Sequence, residues 1–322
     1  MATAACPRFA GAPPGPLHDL QFDPSGQRLA IAVADGVRIW CAASGQALGE
    51  IRHRAGVRSI SWAPGRFAGT LAGCDEDGRI LFWREVRPGD FQVVHELSGT
   101  ELGASAGAGA GSVEFAPAEH GAVLAAAGGG GDVFIVTRRE VSASPVLPPT
   151  ERWLAKSFPA HSGGRVVALS WAPAVSPVAL ATGPAATRGA NDAPRRLATA
   201  GSDSVVRIWR REEKSDAWTQ QQELTDGRLQ GELRDVAWRP NVGIPSSCLV
   251  VCTAGGSVGV WMQDADGRPW HLQSCLQLGD DARRLAWSRA GRLLGVSVGD
   301  EGSQVFREDP VGEWREVSAL ED

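Results

Sequence analysis

Short hydrophobic stretches that alternate with polar residues recur along this chain, and turn residues separate them. Between Val205 and Trp209, for example, the alternation sends successive side chains to opposite faces of a strand. Such a strand suits a sheet that is packed between two neighbouring sheets. No long segment with a helical period of 3.6 residues competes with this pattern. The sequence therefore predicts an all-β fold.

The strands are organised in a unit that occurs six times, each with three regular strands and a looser fourth strand. The first strands carry the aromatic residues Phe22, Trp62, Phe115, Trp171, Trp238 and Trp287. The third strands end near Trp40, Trp83, Val136, Trp209, Trp261 and Phe306. All 12 tryptophans occupy positions of this repeat. The unit length and the terminal Ile-Trp are typical of WD repeats, so we predict a six-bladed β-propeller.

Two units carry a histidine and an aspartate at the positions where WD repeats form a hydrogen-bonded set. These positions hold His53, Asp77 and Trp83 in the second unit and His161, Asp203 and Trp209 in the fourth. A catalytic or metal-binding site could use the same residue types. Because the arrangement recurs from blade to blade, and because buried polar groups need hydrogen-bond partners, we interpret these residues as structural.

Composition and motifs argue against several classes of function. A net charge of −5 disfavours a direct nucleic-acid ligand. The six cysteines include no CxxC pair, which favours reduced, buried thiols over disulfides or a metal site. There is no HxH or HExxH motif, and we expect no enzyme activity, no metal and no cofactor. No apolar run approaches the ~20 residues that cross a bilayer, and the N-terminus lacks a signal-type apolar core, which predicts a protein of the cytosolic or nuclear side.

The two ends of the chain predict that the ring of blades is open. Residues 1–16 are rich in Pro, Gly and Ala, and proline cannot donate to a strand ladder, so we expect no strand there. The last unit completes its own fourth strand near Trp314. We therefore expect one propeller over residues 17–322, with a loop insertion at 174–194. An unpaired strand edge is normally covered, and a strand from another protein would cover it.

Three parts of the sequence resemble one family of propellers. They are residues 18–21 (HDLQ) with 26–30 (GQRLA), residues 168–175 (ALSWAPAV) and residues 234–245 (RDVAWRPNVGIP). These segments resemble the WD-repeat subunit of the COPII outer coat, the Sec-thirteen family. The resemblance implies a six-bladed open propeller that is completed by a blade from an α-solenoid partner. That partner would be the coat cage protein or, in the nuclear pore, a nucleoporin of the Y-shaped complex.

Such a subunit would be a non-enzymatic scaffold of the COPII coat in ER-to-Golgi transport and of the nuclear pore. The resemblance places it on the cytoplasmic face of the ER membrane, on COPII vesicles and in the nuclear pore complex, with a further complex at the lysosomal membrane. Contact with the membrane would be peripheral, through the coat. A related nucleoporin propeller and a WD-repeat adaptor of an enzyme complex are the alternatives.

We expect the partner to bind in the cleft between the first and the last blade. The side chains predicted to contact it are Leu20, Phe22, Val37, Ile39, Leu285 and Trp287. Ordinary packing within a blade is the other interpretation of each of these residues.

Overall fold

The structure is a computed structural model that describes residues 16–103, 109–141, 150–174, 195–240, 246–265, 267–299 and 302–317. The chain divides into two compact units, residues 1–165 and 166–322. Within the described ranges it forms 24 β-strands and two short 3-10 turns, with no α-helix. Residues 1–15 and 175–194, which hold nearly all of the Pro-rich segment and of the predicted insertion, lie outside these ranges.

The first unit contains three four-stranded sheets, blades 1 to 3. Blade 1 consists of β1 (Asp19–Phe22), β2 (Arg28–Val33), β3 (Gly36–Cys41) and β4 (Ala47–Arg52). Blade 2 consists of β5 (Val57–Trp62), β6 (Thr70–Asp75), β7 (Ile80–Arg87) and β8 (Asp90–Leu97). Blade 3 consists of β9 (Ala110–Phe115), β10 (Val123–Gly128), β11 (Asp132–Val141) and β12 (Thr150–Pro159).

The second unit contains three further four-stranded sheets, blades 4 to 6. Blade 4 consists of β13 (Val166–Trp171), β14 (Arg196–Gly201), β15 (Val206–Arg211) and β16 (Trp218–Leu224). Blade 5 consists of β17 (Leu233–Trp238), β18 (Ser247–Thr253), β19 (Ser257–Gln263) and β20 (His271–Gln277). Blade 6 consists of β21 (Ala282–Trp287), β22 (Leu293–Val298), β23 (Gly302–Glu308) and β24 (Trp314–Glu316).

Every blade is built from four consecutive antiparallel strands, with its first and fourth strands at the two edges of the sheet. The aromatic residues predicted for the first strands end all six of them. This repeated sheet is the WD-type blade, so the predicted all-β, six-bladed propeller fold is confirmed. Among the described strands, no sheet combines the two ends of the chain. That the ring is open stays a prediction.

The hydrophobic core of each unit lies between the faces of neighbouring blades. In the first unit, Val37 and Ile39 of blade 1 pack with Val57, Ile60 and Trp62 of blade 2. In the second unit, residues of blades 5 and 6 form a similar cluster. Because side chains alternate along a strand, every blade with two neighbours must be apolar on both faces. Burial of one such aliphatic side chain stabilises the fold by roughly 1.5–3 kcal/mol.

Hydrogen bonds also join the first strands of neighbouring blades. The Ile60 backbone N–H donates to Oδ2 of Asp19 over 2.9 Å, and the Trp62 indole N–H donates to the Gln21 carbonyl over 3.3 Å. The same two bonds recur in the second unit, from Leu285 to Asp235 (2.9 Å) and from Trp287 to Ala237 (3.3 Å). The repeat therefore fixes not only each blade but also the way one blade docks on the previous one.

The outer strand of blade 1 and the β7–β8 turn of blade 2 touch through their backbones. Gly89 has a φ of 79°, and a Cβ atom at this position would lie 2.1 Å from the Leu48 carbonyl oxygen. A Cβ on Gly49 would lie 2.5 Å from the Gly89 carbonyl oxygen. Only glycine allows this approach, because any other residue would clash with the neighbouring backbone.

The variant Gly89→Ala should therefore lower the free energy of unfolding by roughly 2–5 kcal/mol. About 1–2 kcal/mol arises from the left-handed φ and about 1–3 kcal/mol from overpacking. Gly279→Ala is the matched control, since Gly279 has the same φ of 79° and no atom within 4 Å of the position of a Cβ. Urea unfolding followed by tryptophan fluorescence measures both. Equal losses in the two variants would contradict the backbone contact.

Candidate partner-binding surface

Two apolar side chains of β1 are exposed at positions that the other blades bury. Phe22 is 56% exposed, whereas the aromatic residues that end β5, β9, β13 and β17 are at most 6% exposed. Leu20, two residues earlier, is 53% exposed, whereas the residues at this position in the same four strands are also at most 6% exposed. In blades 2 to 5, both positions are thus buried. Blade 1 alone among these five presents them to solvent.

Leu20 and Phe22 share a face with a small buried cluster. The strand register pairs Leu20 with Ile31 and Phe22 with Leu29, so these four side chains lie on one side of blade 1. Leu29 and Ile31 form a cluster of buried residues together with Val33 and Trp40. This side of blade 1 is the one turned away from blade 2, and we call it the blade 1 outer face.

The same register places the other two predicted contact residues of blade 1. Val37 pairs with Ala32, and Ile39 pairs with Ala30, which places Val37 and Ile39 on the opposite side of blade 1 from Leu20. Both residues are fully buried in the core against blade 2. Val37 and Ile39 are therefore inaccessible to a partner that binds the outer face, and their contact role stays a prediction.

The strand register also places the two predicted contact residues of blade 6. Leu285 and Trp287 pack against the cluster that blades 5 and 6 share, and their partners across the strands, Val296 and Leu294, belong to that cluster. They therefore point towards blade 5. The opposite side of blade 6 carries two exposed arginines, Arg284 and Arg307, together with Ala286, Leu293, Gly295, Ser297 and Val305. Any partner of that side would meet these residues rather than Leu285 and Trp287.

An arginine clamp ties neighbouring blades together. Arg28 of blade 1 lies over the Trp62 ring of blade 2, with 4.7 Å from its guanidinium carbon to the ring centroid. It also donates to Oε2 of Glu85 over 2.6 Å. Glu85 stands two residues after Trp83, the last aromatic residue of its third strand. The clamp thus consists of an arginine, the aromatic residue that ends the next blade's first strand, and a polar residue of its third strand.

The second unit contains the clamp twice. It is formed by Arg196 with Trp238 and Gln263, and by Arg239 with Trp287 and Glu308. The contact between blades 2 and 3 differs from this clamp. Its arginine, Arg138, comes from the later blade and lies over the ring of Phe67 of blade 2.

Blade 1 lacks the aromatic and polar residues that would receive an arginine from another blade, and blade 6 lacks the arginine that would reach another blade. Blade 1 has Phe22 where a tryptophan would receive the arginine, and Ala42 where the acidic or amide residue would stand. Blade 6 has Ser288 and Leu293 at the two positions from which Arg239 and Arg196 act. The residues that lock one blade to the next are therefore absent from the outer face of blade 1, which carries exposed apolar residues in their place.

The predicted histidine–aspartate pair of blade 2 uses a different aspartate. The structure places Asp75 against His53, with 3.0 Å between Nε2 and Oδ2. Asp75 ends β6 and is fully buried, and it also accepts the Arg79 backbone N–H over 2.9 Å. The predicted Asp77 lies in the exposed turn and forms an ion pair with Arg79. His53 therefore contacts the residue that ends the strand, two residues before Asp77, because that residue points into the blade.

Trp83 and Trp209 occupy equivalent positions but have different polar surroundings. The Trp209 indole N–H donates to the Thr199 hydroxyl over 3.0 Å. Gly73 replaces this threonine in blade 2, and the Trp83 ring occupies the space of its missing side chain, 2.8 Å from where a Cβ would lie. The Trp83 indole N–H is buried without a hydrogen-bond partner.

The rest of the predicted set is placed as follows. Asp203 accepts from the Arg207 guanidinium over 2.6 Å and from the Val205 backbone N–H over 3.2 Å. His161 is fully buried at the end of the first unit. The pairing of His161 with Asp203 stays a prediction.

The cysteines are free thiols wherever the structure describes them. Burial raises the pKa of Cys74 and of Cys248 to about 12 and raises the pKa of Cys252 well above its usual value, so these thiols stay protonated. Cys41 is only partly buried, and hydrogen bonds from Ser44 lower the pKa of its thiol. Cys6 lies outside the described residues.

Neither a metal centre nor a membrane helix is found in the part of the chain that the structure describes. No three His, Cys, Asp or Glu side chains there are grouped so that they could hold a metal ion. No helix in the same ranges has the length and apolar character that crossing a bilayer requires.

Comparison with known proteins gives a consistent set of relatives. No protein-family model matches the chain. The protein SEC13 homolog of Drosophila melanogaster is 32% identical over 307 residues, which cover 94% of this chain and 80% of that protein. Protein transport protein SEC13 of Cryptococcus neoformans is 30% identical over 326 residues, covering 94% and 93% of the two chains. The protein of the same name from Mycosarcoma maydis is 28% identical over 350 residues, covering 95% and 92%. By this similarity over nearly its whole length, the chain belongs to the SEC13 family of WD-repeat proteins.

Proposed function

We propose that this chain is a non-enzymatic scaffold subunit for protein transport, acting in the COPII coat that carries cargo from the ER to the Golgi. Its outer face of blade 1 holds a sheet that an α-solenoid partner donates. The observation that carries this proposal is the exposure of Leu20 and Phe22 at positions that blades 2 to 5 bury. The names of the relatives, protein transport protein SEC13, support the transport role.

The physical argument is that blade 1 offers half of an inter-blade interface. Leu20 and Phe22 continue an apolar face whose inner part, including Leu29 and Trp40, is already buried. A sheet laid on this face would cover both exposed side chains and gain roughly 1 kcal/mol or more for each. The blade 1 outer face lacks the residues that receive the clamp arginine in other blades, so a donated sheet would not need to supply that arginine. The surface therefore suits a blade that differs from those of the chain itself.

The proposed cellular locations of the chain follow from its binding of a donated sheet. A scaffold that accepts one blade could serve any rod-like partner that carries a suitable sheet. We accordingly propose the cytoplasmic face of the ER membrane and COPII vesicles as the main site of action. Shared use in the nuclear pore scaffold and in a complex at the lysosomal membrane is proposed on the strength of the family resemblance.

Depletion of the chain tests the transport role. In cells of its own organism, with the chain fused to an inducible degradation tag, its removal should slow the arrival of a secretory reporter at the Golgi. Re-expression of the untagged chain should restore the rate. Unchanged export from the ER after complete removal would contradict the proposal.

A further inference from the structure

First strands also carry side chains that receive the next blade. In both units, a side-chain oxygen on one first strand accepts a backbone N–H from the first strand of the following blade. The acceptor stands either three residues or one residue before the aromatic residue that ends its strand. The pairs are Asp19 with Ile60 (2.9 Å), Ser59 with Val113 (3.2 Å), Ser61 with Phe115 (2.9 Å), Ser170 with Trp238 (3.1 Å) and Asp235 with Leu285 (2.9 Å). An acceptor at one of these two positions is therefore part of the interface between blades.

Blade 6 has no acceptor at either position. Arg284 stands three residues before Trp287, and Ala286 stands one residue before it. A guanidinium group only donates hydrogen bonds, and an alanine side chain has no polar atom. Arg284 and Ala286 lie on the side of blade 6 that is turned away from blade 5, together with Ser297 and Arg307, and we call this side the blade 6 outer face. It therefore cannot receive a sheet by these side-chain hydrogen bonds.

The third strand of blade 6 is also more polar than its equivalents. On the corresponding face of blades 1, 2 and 5, two apolar residues of the third strand are at most 1% exposed, namely Val37, Ile39, Ile80, Phe82, Val258 and Val260. Blade 6 has Ser303, which is exposed, and Val305, which is partly buried. Burial of apolar side chains therefore contributes less to binding on this face than it does between the other blades.

The blade 6 outer face is basic. Arg284 and Arg307 are exposed and form no ion pair with the residues that the structure describes, whereas Arg315, opposite Arg307 on β24, binds Asp309 and Glu313. Within the described strands β21 to β24, no aspartate or glutamate lies on this face. Covering two guanidinium groups without anionic partners is strongly unfavourable. A polypeptide that covers the face must therefore bring carboxylates.

The strand register sets the spacing that these carboxylates need. Arg284 pairs with Ser297 and Arg307 pairs with Leu293, so the two arginines belong to rows four residues apart along β22. Four residues of a strand span about 13 Å. Residues four apart on a strand share a face, and the residue midway between them would meet Gly295, which has no side chain. The face thus fits a strand with two acidic residues four positions apart and a larger residue between them.

The repeat also favours a strand over a helix as the occupant. The corresponding faces of blades 4 and 5 are covered by the sheets of blades 5 and 6, with which they share hydrophobic clusters. In an α-helix, residues four apart are separated by only about 6 Å along the axis, which is too short to serve both rows of the face. A strand reaches both rows with neighbouring positions of the same side.

We propose that the blade 6 outer face binds a β-strand of a partner protein through two acidic side chains four residues apart, one for Arg284 and one for Arg307. Charge-assisted hydrogen bonds from the two guanidinium groups would take the place of the acceptor bonds that join other blades. This inference rests on the proposed function, since the α-solenoid protein is the partner expected to supply the strand. It adds the chemistry by which blade 6 selects that strand.

The variant Arg284→Glu/Arg307→Glu tests this contact by reversing both charges. Both side chains are exposed, so the variant should fold, and thermal unfolding checks this. The probe is the purified full-length α-solenoid coat protein of the same organism. We expect its Kd to rise roughly 10-fold, which corresponds to about 1.4 kcal/mol. Added salt should weaken binding of the wild type but not of the variant, because salt screens the attraction between arginine and carboxylate.

Arg139→Glu/Arg152→Glu is the matched control. These two arginines stand opposite each other on β11 and β12 of blade 3 and are exposed, so the control changes the net charge by the same amount. It should bind the coat protein with the Kd and the salt dependence of the wild type.

Photo-cross-linking from position 286 identifies the strand itself. Ala286 is exposed and pairs with Gly295, midway between the rows of the two arginines, so a benzoyl-phenylalanine residue there should lie against the occupant. We expect its cross-links on a segment of the coat protein that has two acidic residues four positions apart. Cross-links to a segment without acidic residues would overturn the inference.

The outcomes separate this inference from the proposed function. If Leu20→Glu/Phe22→Glu abolishes binding while Arg284→Glu/Arg307→Glu has the Kd and the salt dependence of the wild type, the acidic strand is wrong and the proposed function stands. If neither variant changes binding, both are wrong. Binding of single-stranded RNA or of anionic vesicles by the wild type, lost in Arg284→Glu/Arg307→Glu, would replace the carboxylates with phosphates and overturn the inference.

Discussion

Replacing Leu20 and Phe22 with glutamate should weaken binding of the α-solenoid partner at least about 100-fold, which corresponds to about 2.8 kcal/mol. In the free chain both side chains are more than half exposed, so the two carboxylates remain hydrated and the fold persists. In the complex the same positions would be covered by the donated sheet. Two charges buried there without partners would cost several kcal/mol.

Leu154→Glu is the matched control for this prediction. Leu154 lies on the fourth strand of blade 3 and is 47% exposed, close to the exposure of Leu20. It does not belong to the blade 1 outer face, so its variant should bind with the Kd of the wild type. Calorimetric titration measures the Kd, and thermal unfolding shows that the variants remain folded. Equal affinity of the Leu20→Glu/Phe22→Glu variant and the wild type would contradict the proposed surface.

Arg239→Met should lower the free energy of unfolding by about 3–5 kcal/mol, the largest loss that we expect from one substitution of an ion pair. The Arg239 guanidinium lies 5.2 Å from the Trp287 ring centroid and 5.7 Å from that of Trp314. It donates over 2.6 Å both to the Gly291 carbonyl and to Glu308. The substitution leaves the Glu308 carboxylate and the Gly291 carbonyl without this donor in a largely buried site.

Two comparisons separate the clamp from a surface ion pair. Arg315 binds Asp309 and Glu313 over 3.1 Å, but its side chain is 69% exposed, so Arg315→Met should cost less than about 1 kcal/mol. Arg239→Met/Glu308→Met removes both charges and should be more stable than Arg239→Met alone. Urea unfolding measures all three variants. If Arg239→Met and Arg315→Met lost the same small amount, the clamp would have no role in joining blades 5 and 6.

The repeat could be predicted from the sequence because each blade satisfies the same physical demand. A blade that lies between two others has both faces covered, so its first and third strands need large apolar residues at fixed places. This demand produced the aromatic residues from Phe22 to Trp287, all of which end first strands as predicted. The six-bladed fold class followed from them.

The face that each predicted contact residue occupies could not be derived from the sequence, because it depends on the register between strands. Alternation along β1 puts Leu20 and Phe22 on one face. Whether Val37 of β3 shares that face depends on two strand pairings, and a shift of one residue would reverse the answer. The structure pairs Val37 with Ala32 and thereby places it on the other face. One signal was available in the sequence, since blade 1 has Phe22 and Ala42 where other blades carry clamp residues.

The aspartate of blade 2 illustrates a second limit. Asp75 ends β6 and Asp77 lies in the turn that follows, and spacing from Trp83 alone favoured Asp77. The side chain that enters the blade is decided by where the strand ends and how the turn folds. Asp75 is the last residue of β6 and is buried, so its carboxylate forms the hydrogen bond with His53.

The most direct test of the central claim is photo-cross-linking from position 22. A benzoyl-phenylalanine residue in place of Phe22 keeps an aromatic ring at the exposed end of β1. In the complex with the α-solenoid protein, we predict cross-links to a strand-forming segment of that partner, identified by mass spectrometry. Cross-links confined to residues of the chain itself, equally abundant with and without the partner, would show that the blade 1 outer face is covered from within and would contradict the account.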